Sequence, residues 1–175
     1  MSNGLAISAS AFRTLATHPN VVGAKFSHGD VSLHARVALD PATDHARFRV
    51  FTGLGQQLVA ACALGCGGAI DGLAAVFPAS LVRLYALAAD GARGAEQTAE
   101  MLQLQYRVAV MEQLVVQCGV RGIKQAVAKV MGWEGSGRVR APLAEMAASE
   151  WLEWEVAVEE MRIADMVILG KNHRE

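Results

Sequence analysis

Two short runs rich in β-branched and aromatic residues, 21–27 (VVGAKFS) and 48–54 (FRVFTGL), sit between helical patterns, and this alternation limits what the chain can fold into. A third apolar run, 67–78 (GGAIDGLAAVFP), reads as another strand with its exit loop. The helical patterns cover 8–17, with Phe12 and Leu15 on one face, then about 31–39, 55–65, and 79–91 with Leu81, Leu84, Tyr85 and Ala88 together. Pro19 breaks the first of them, and glycine closes the helix at 55–65. Single helices between strands imply parallel pairing through right-handed crossovers, an α/β arrangement over residues 1–91. From 92 onward only helical patterns remain, at 95–118, 121–131 and 143–168, so 92–175 is expected to be an all-helical segment packed on the first part. In the last helix Glu150, Glu153 and Glu155 read as a solvated face, with Trp151 and Trp154 as packing anchors.

One domain with a sizeable core fits 175 residues. The 53% hydrophobic content is high for a small monomer and points to burial against something else. Sixteen basic and seventeen acidic residues leave a net charge of −1, which is no footprint for nucleic acid or an anionic membrane. The longest apolar stretches are interrupted by glycine, Asp71 or Pro78 before reaching the ~20 residues a membrane helix needs. The opening residues show neither a basic leader nor an Arg-rich pattern, so a cytoplasmic location is expected, with a mitochondrial one left open if an N-terminal part precedes the chain. Cys62, Cys66 and Cys118 suggest no disulfide framework. Cys62 and Cys66 share a helix face without further ligands nearby, so packing is expected of them and no metal site.

Lys25 stands near the end of the first strand, just before the polar turn 28–30. In parallel α/β folds the loops leaving the carboxyl ends of strands line the ligand crevice. An amine attacks a carbonyl only when neutral, which apolar surroundings favour. Val21, Val22, Ala24 and Phe26 are the residues expected to provide them. A lysine extending from a strand end into water would fit the same spacing.

The segment HPNVVGAKFSHGD, residues 18–30, resembles the strand-six segment of the dihydrodipicolinate synthase and N-acetylneuraminate lyase superfamily. The resemblance continues through 48–85, similar to that family's seventh and eighth strands with their helices, and through GVRGIKQAVAKVMGW and RVRAPL in the helical part. GLGQQL and IDGLAAVFP look closest to fungal members near 4-hydroxy-2-oxoglutarate and 2-keto-3-deoxy sugar acid aldolases. It implies a partial TIM barrel, strands six to eight with their helices, followed by the C-terminal helices. It also implies a class I aldolase or lyase acting on pyruvate-type 2-oxo acids, with Lys25 as the Schiff-base nucleophile and no cofactor. By the same match Gly53 resembles the strand-seven glycine near the substrate carboxylate, and Ile70 the strand-eight residue whose backbone faces the pocket. Gly53 could equally serve only a tight turn, and Ile70 ordinary barrel filling.

A full (β/α)₈ barrel takes about 250 residues. Nothing here resembles strands one to five, the GTTGE-like motif of the second or the YNxP tyrosine of the fifth, to which the family's proton relay is attributed. Tyr85 and Tyr106 lie in helical segments and match neither. His28 and Asp30 are conceivable acid/base substitutes, or simply a polar turn that caps the next helix. Three strands leave two open edges, so a homo-oligomer or a complementing barrel half is the expected partner. The alternative to an active enzyme is an inactive family remnant serving binding or oligomerisation.

Overall fold

The computed structural model describes residues 4–133, 135 and 137–172, with side chains through residue 170. Helix α1 (Ala9–Thr17) starts where the Ser8 hydroxyl accepts the N–H of Ala11 at 3.2 Å. Phe12 and Ala16, one turn apart, are its buried face; Leu15, expected beside Phe12, points outward instead. Strand β1 (Gly23–Phe26) follows, then α2 (Val31–Ala38) and β2 (Arg49–Thr52). The two strands are parallel, in register from Gly23 opposite Arg49 to Phe26 opposite Thr52. A three-residue 3₁₀ turn, Gly55–Gln57, leads into α3 (Leu58–Ala63).

The third strand expected over 67–78 is reduced to a single parallel bridge, Thr52 to Ala69. Three hydrogen bonds still run along it: Gly67 N–H to Val50 O, Thr52 N–H to Gly68 O, and Ile70 N–H to Thr52 O. Extended geometry ends there because the Asp71 carboxylate accepts the N–H of Ala74 at 2.8 Å and starts the 3₁₀ turn Leu73–Ala75. The architecture is therefore mixed α/β and mostly helical, a short stretch of barrel wall with helices behind it.

Helix α4 (Pro78–Ala89) begins on proline, whose missing N–H costs nothing in the first turn. It buries Leu81, Leu84 and Leu87, while Tyr85 sits half in solvent over Gly68. The two helices expected at 95–118 and 121–131 are present as the two halves of α5 (Ala95–Met131), which meet at a kink at Gly119, whose non-helical φ of 58° and ψ of −145° only glycine adopts readily. Helix α6 (Ala148–Asn172) starts five residues later than expected. Leu143 instead closes a turn onto Arg140, and Glu150 accepts the N–H of Ala147 at 2.8 Å to fix the start. Glu150 is not simply solvated: it also pairs with both terminal nitrogens of Arg121 on α5. Trp151 is buried, as an anchor should be.

Two apolar clusters result. The first joins Phe12 and Ala16 of α1, Phe26 of β1, Val37 of α2, and Phe48, Val50, Ala61 and Cys66. The second joins Leu58, Leu73 and Phe77 to Leu84 of α4, Val108 and Leu114 of α5, and Trp151 and Met161 of α6. Each fully buried side chain of this size contributes about 1.5–3 kcal/mol. Cys62 and Cys66 pack in these clusters as free thiols, and burial pushes the Cys66 thiol up to about 11. Among the described residues no helix is long and apolar enough to cross a membrane.

Candidate functional site

Lys25 is the third residue of β1, opposite Phe51 of β2. Side chains alternate along a strand, so Ala24 and Phe26 lie on the other face from Lys25. Phe26 packs there against Phe12, ring centroids 4.7 Å apart and planes tilted by 50°, inside the first cluster. The apolar enclosure expected from Val21, Val22, Ala24 and Phe26 is therefore not formed: Lys25 is exposed, and Val22 is 65% exposed.

The lysine stem instead lies against the chain leaving β2. A Cβ on Gly53 would stand 2.6 Å from Lys25 Cε and would overlap Ser27 Oγ. Only glycine leaves the lysine its position. The Gly53 N–H donates to Phe26 O at 2.6 Å, which ties the two strand ends together just beyond the ladder. Thr52, fully buried, accepts the N–H of Leu54 at 3.2 Å and so shapes the same exit. Ile70 lies on the next extended segment with its N–H given to Thr52 O at 2.8 Å. Its side chain is half exposed, so it is not filling a closed interior. Lys25, Gly53 and Ile70 thus share one open end of the short sheet.

His28 and Asp30 form the capping turn rather than a second set of groups at the amine. Asp30 accepts the N–H of Leu33 at 2.9 Å, and His28 Nδ1 accepts the N–H of Asp30 at 3.2 Å. The His28 ring packs 5.2 Å from both Phe26 and His34, and burial lowers its pKa. Tyr85 and Tyr106 are carried on α4 and α5, and Tyr106 is 70% exposed.

Two carboxyl groups near this end were not singled out from the sequence. Glu112 of α5 is buried, and its Oε1 has no hydrogen-bond partner. It follows Val108 by one turn on the helix face that packs inward. A Cβ on Gly55 would stand 2.6 Å from Glu112 Oε1 and 2.8 Å from Asp71 Oδ2, so both carboxyls converge on the space this glycine leaves open. Burial, and then the Asp71 charge, push the Glu112 carboxyl up to about 7, with the Gly55 N–H pulling the other way. Burial raises Asp71 too; the N–H groups of Ala74 and Leu73 and the Lys25 ammonium offset part of this. A signal was present for Glu112, a lone carboxylate in the apolar run 108–116. For Asp71 there was none beyond its place after Ile70. Among the described residues no cluster of three or more His, Cys, Asp or Glu is arranged to hold a metal ion.

The sequence model of the Dihydrodipicolinate synthetase family matches residues 2–161. The chain belongs to this family. Among solved structures, it superposes with a TM-score of 0.77 on a protein assigned as a dihydrodipicolinate synthase from Thermus thermophilus, at 28% identity, covering 91% of this chain and 52% of that one. For a dihydrodipicolinate synthase family protein from Coccidioides immitis the TM-score is 0.79 at 25% identity, covering 95% of this chain and 54% of that one. A prophage member of the family from E. coli, solved in complex with pyruvate, has the same fold: TM-score 0.76, 20% identity, covering 89% and 51% of the two chains. The chain thus spans about half the length of the family structures it matches. The helices and the parallel strand pair are those of a partial family barrel.

Proposed function

We propose that this chain carries the Schiff-base part of a class I aldolase or related lyase for pyruvate-type 2-oxo acids. Lys25 is the nucleophile, and Gly53 and the backbone at Ile70 bound the space beside it. The observation that supports this most is the seating of Lys25 at the carboxyl end of a parallel strand, its stem held against Gly53, in a chain of the dihydrodipicolinate synthetase family. On this reading 1–91 is the barrel part, 92–175 is the helical segment packed on it, and the remaining wall comes from a second copy or a complementing barrel half. The amine adds to the 2-oxo carbon, and dehydration gives the iminium on which carbon–carbon cleavage depends.

Borohydride reduction with pyruvate, followed by peptide mass spectrometry, tests it. One reduced pyruvate adduct is expected on Lys25 and none in Lys25→Ala; no adduct on Lys25 in the full chain overturns the assignment.

A remnant that binds or assembles without turnover is favoured by one observation, the exposure of Lys25 where a complete site would enclose it. An adduct that forms without aldol cleavage is the result that selects this second reading.

A further inference from the structure

The Asp71 and Glu112 carboxyls come from different parts of the chain, the sheet exit and the middle of α5, and meet over Gly55. Burying a carboxyl at 1% exposure with an oxygen left unpartnered is costly unless the group keeps a proton or serves one. Two carboxyls sharing one space cannot both ionise cheaply, so such a pair holds a proton in common. Asp71 also lines a cavity of about 310 Å³ with Gly68, Ala69, Pro78 and Tyr85, which gives the pair a route for exchanging protons with water. Gly55 lies two residues beyond Gly53, the residue against which the Lys25 stem rests. Among the described residues, the ionisable groups acting on the pair are its own two members and the Lys25 ammonium, whose charge reaches Asp71.

We propose that Asp71 and Glu112 form a proton-sharing pair that supplies the acid for Schiff-base formation at Lys25. This rests on the Lys25 reading above. In the addition step the amine forms a C–N bond to the 2-oxo carbon, the carbonyl π electrons move to oxygen, and the amine proton passes to that oxygen. In the dehydration step the nitrogen lone pair forms C=N while the C–O bond breaks. The leaving hydroxyl takes the pair's proton and departs as water. The pair is left doubly charged and recovers one proton from solvent through the cavity.

The test compares wild type, Glu112→Gln and Asp71→Asn, all as full chains, by the rate of borohydride-trapped pyruvate adduct on Lys25 at pH values on both sides of 7. The ratio of wild-type to Glu112→Gln rate is the primary readout, because the Lys25 charge acts on Asp71 and Asp71→Asn therefore disturbs the amine as well. That ratio is expected to be at least ~10 below neutrality and to fall towards one above it, within the span general acid catalysis covers. A ratio that is the same at every pH, whether one or many, overturns the proposal and leaves the Lys25 reading intact. No adduct in any of the three proteins overturns the Lys25 reading, and this proposal with it. Infrared difference spectra of the protein without pyruvate give a readout independent of turnover. A protonated-carboxyl band that disappears as pH rises through about 7 and is missing in Glu112→Gln is expected, and its absence from wild type overturns the shared proton.

Discussion

Glu112 links the candidate site to stability because its folded-state pKa of about 7 lies above the ordinary value of 4.5. The folded protein keeps a proton that the unfolded chain gives up. Stability is therefore greatest below about 4.5, falls as pH rises towards about 7, and is level beyond it, as far as this group is concerned. The difference is on the order of 3 kcal/mol. Glu112→Gln should remove this slope and raise stability at pH 8 by ~1–3 kcal/mol, as read by urea unfolding at two pH values. Gly53 makes a different kind of prediction. Gly53→Ala places a methyl group against Ser27 Oγ and Lys25 Cε, both ends of side chains able to move, so the stability cost should be only ~1 kcal/mol. The displaced lysine should lose most of its pyruvate adduct, and an unchanged adduct yield would show that its position against Gly53 is immaterial. Lys25 and Gly53 were legible in the sequence because a motif marks them. Asp71 carried no such mark, and the signal at Glu112 does not name its partner, because their encounter depends on how α5 packs against the two 3₁₀ turns that follow the strands.

At the level of elements, periodicity located the helices well and the third strand poorly. Residues 67–70 do pair in parallel, but the Asp71 side chain caps a 3₁₀ turn at once, a local hydrogen bond that composition does not advertise. The break expected between the helices at 95–118 and 121–131 is there: the two halves of α5 meet at Gly119, in a conformation open to glycine. The start of α4 shows how the C-terminal segment holds the rest. Phe77 offers this helix no capping side chain, and Asp165 of α6, buried, accepts the N–H of Ser80 at 2.6 Å instead. Asp165→Ala should cost ~1–2 kcal/mol and lower the thermal midpoint, the range for losing a helix cap, whereas Asp165→Asn should keep most of it.

For the molecule as a whole, family membership and the mixed α/β class could be read from segments spread along the chain, and the incompleteness of the barrel could be read from what those segments omit. Exposed apolar side chains at both ends of the short sheet, Val22 before β1 and Ile70 beyond its carboxyl end, are the physical counterpart of that omission. Self-association is the expected outcome: equilibrium sedimentation of the full chain should give a species larger than a monomer. A well-folded monomer would remove the argument for a second copy or a complementing half. The bond between Ser80 and Asp165 spans 85 positions in sequence and has a temporal meaning as well. During synthesis α4 leaves the ribosome long before Asp165 has been made, at about 5–20 residues per second. Its first turn waits for a cap made 85 residues later, so closure of the second core follows the synthesis of α6, and nascent chains stopped short of residue 165 should expose the α4 surface to proteases and chaperones.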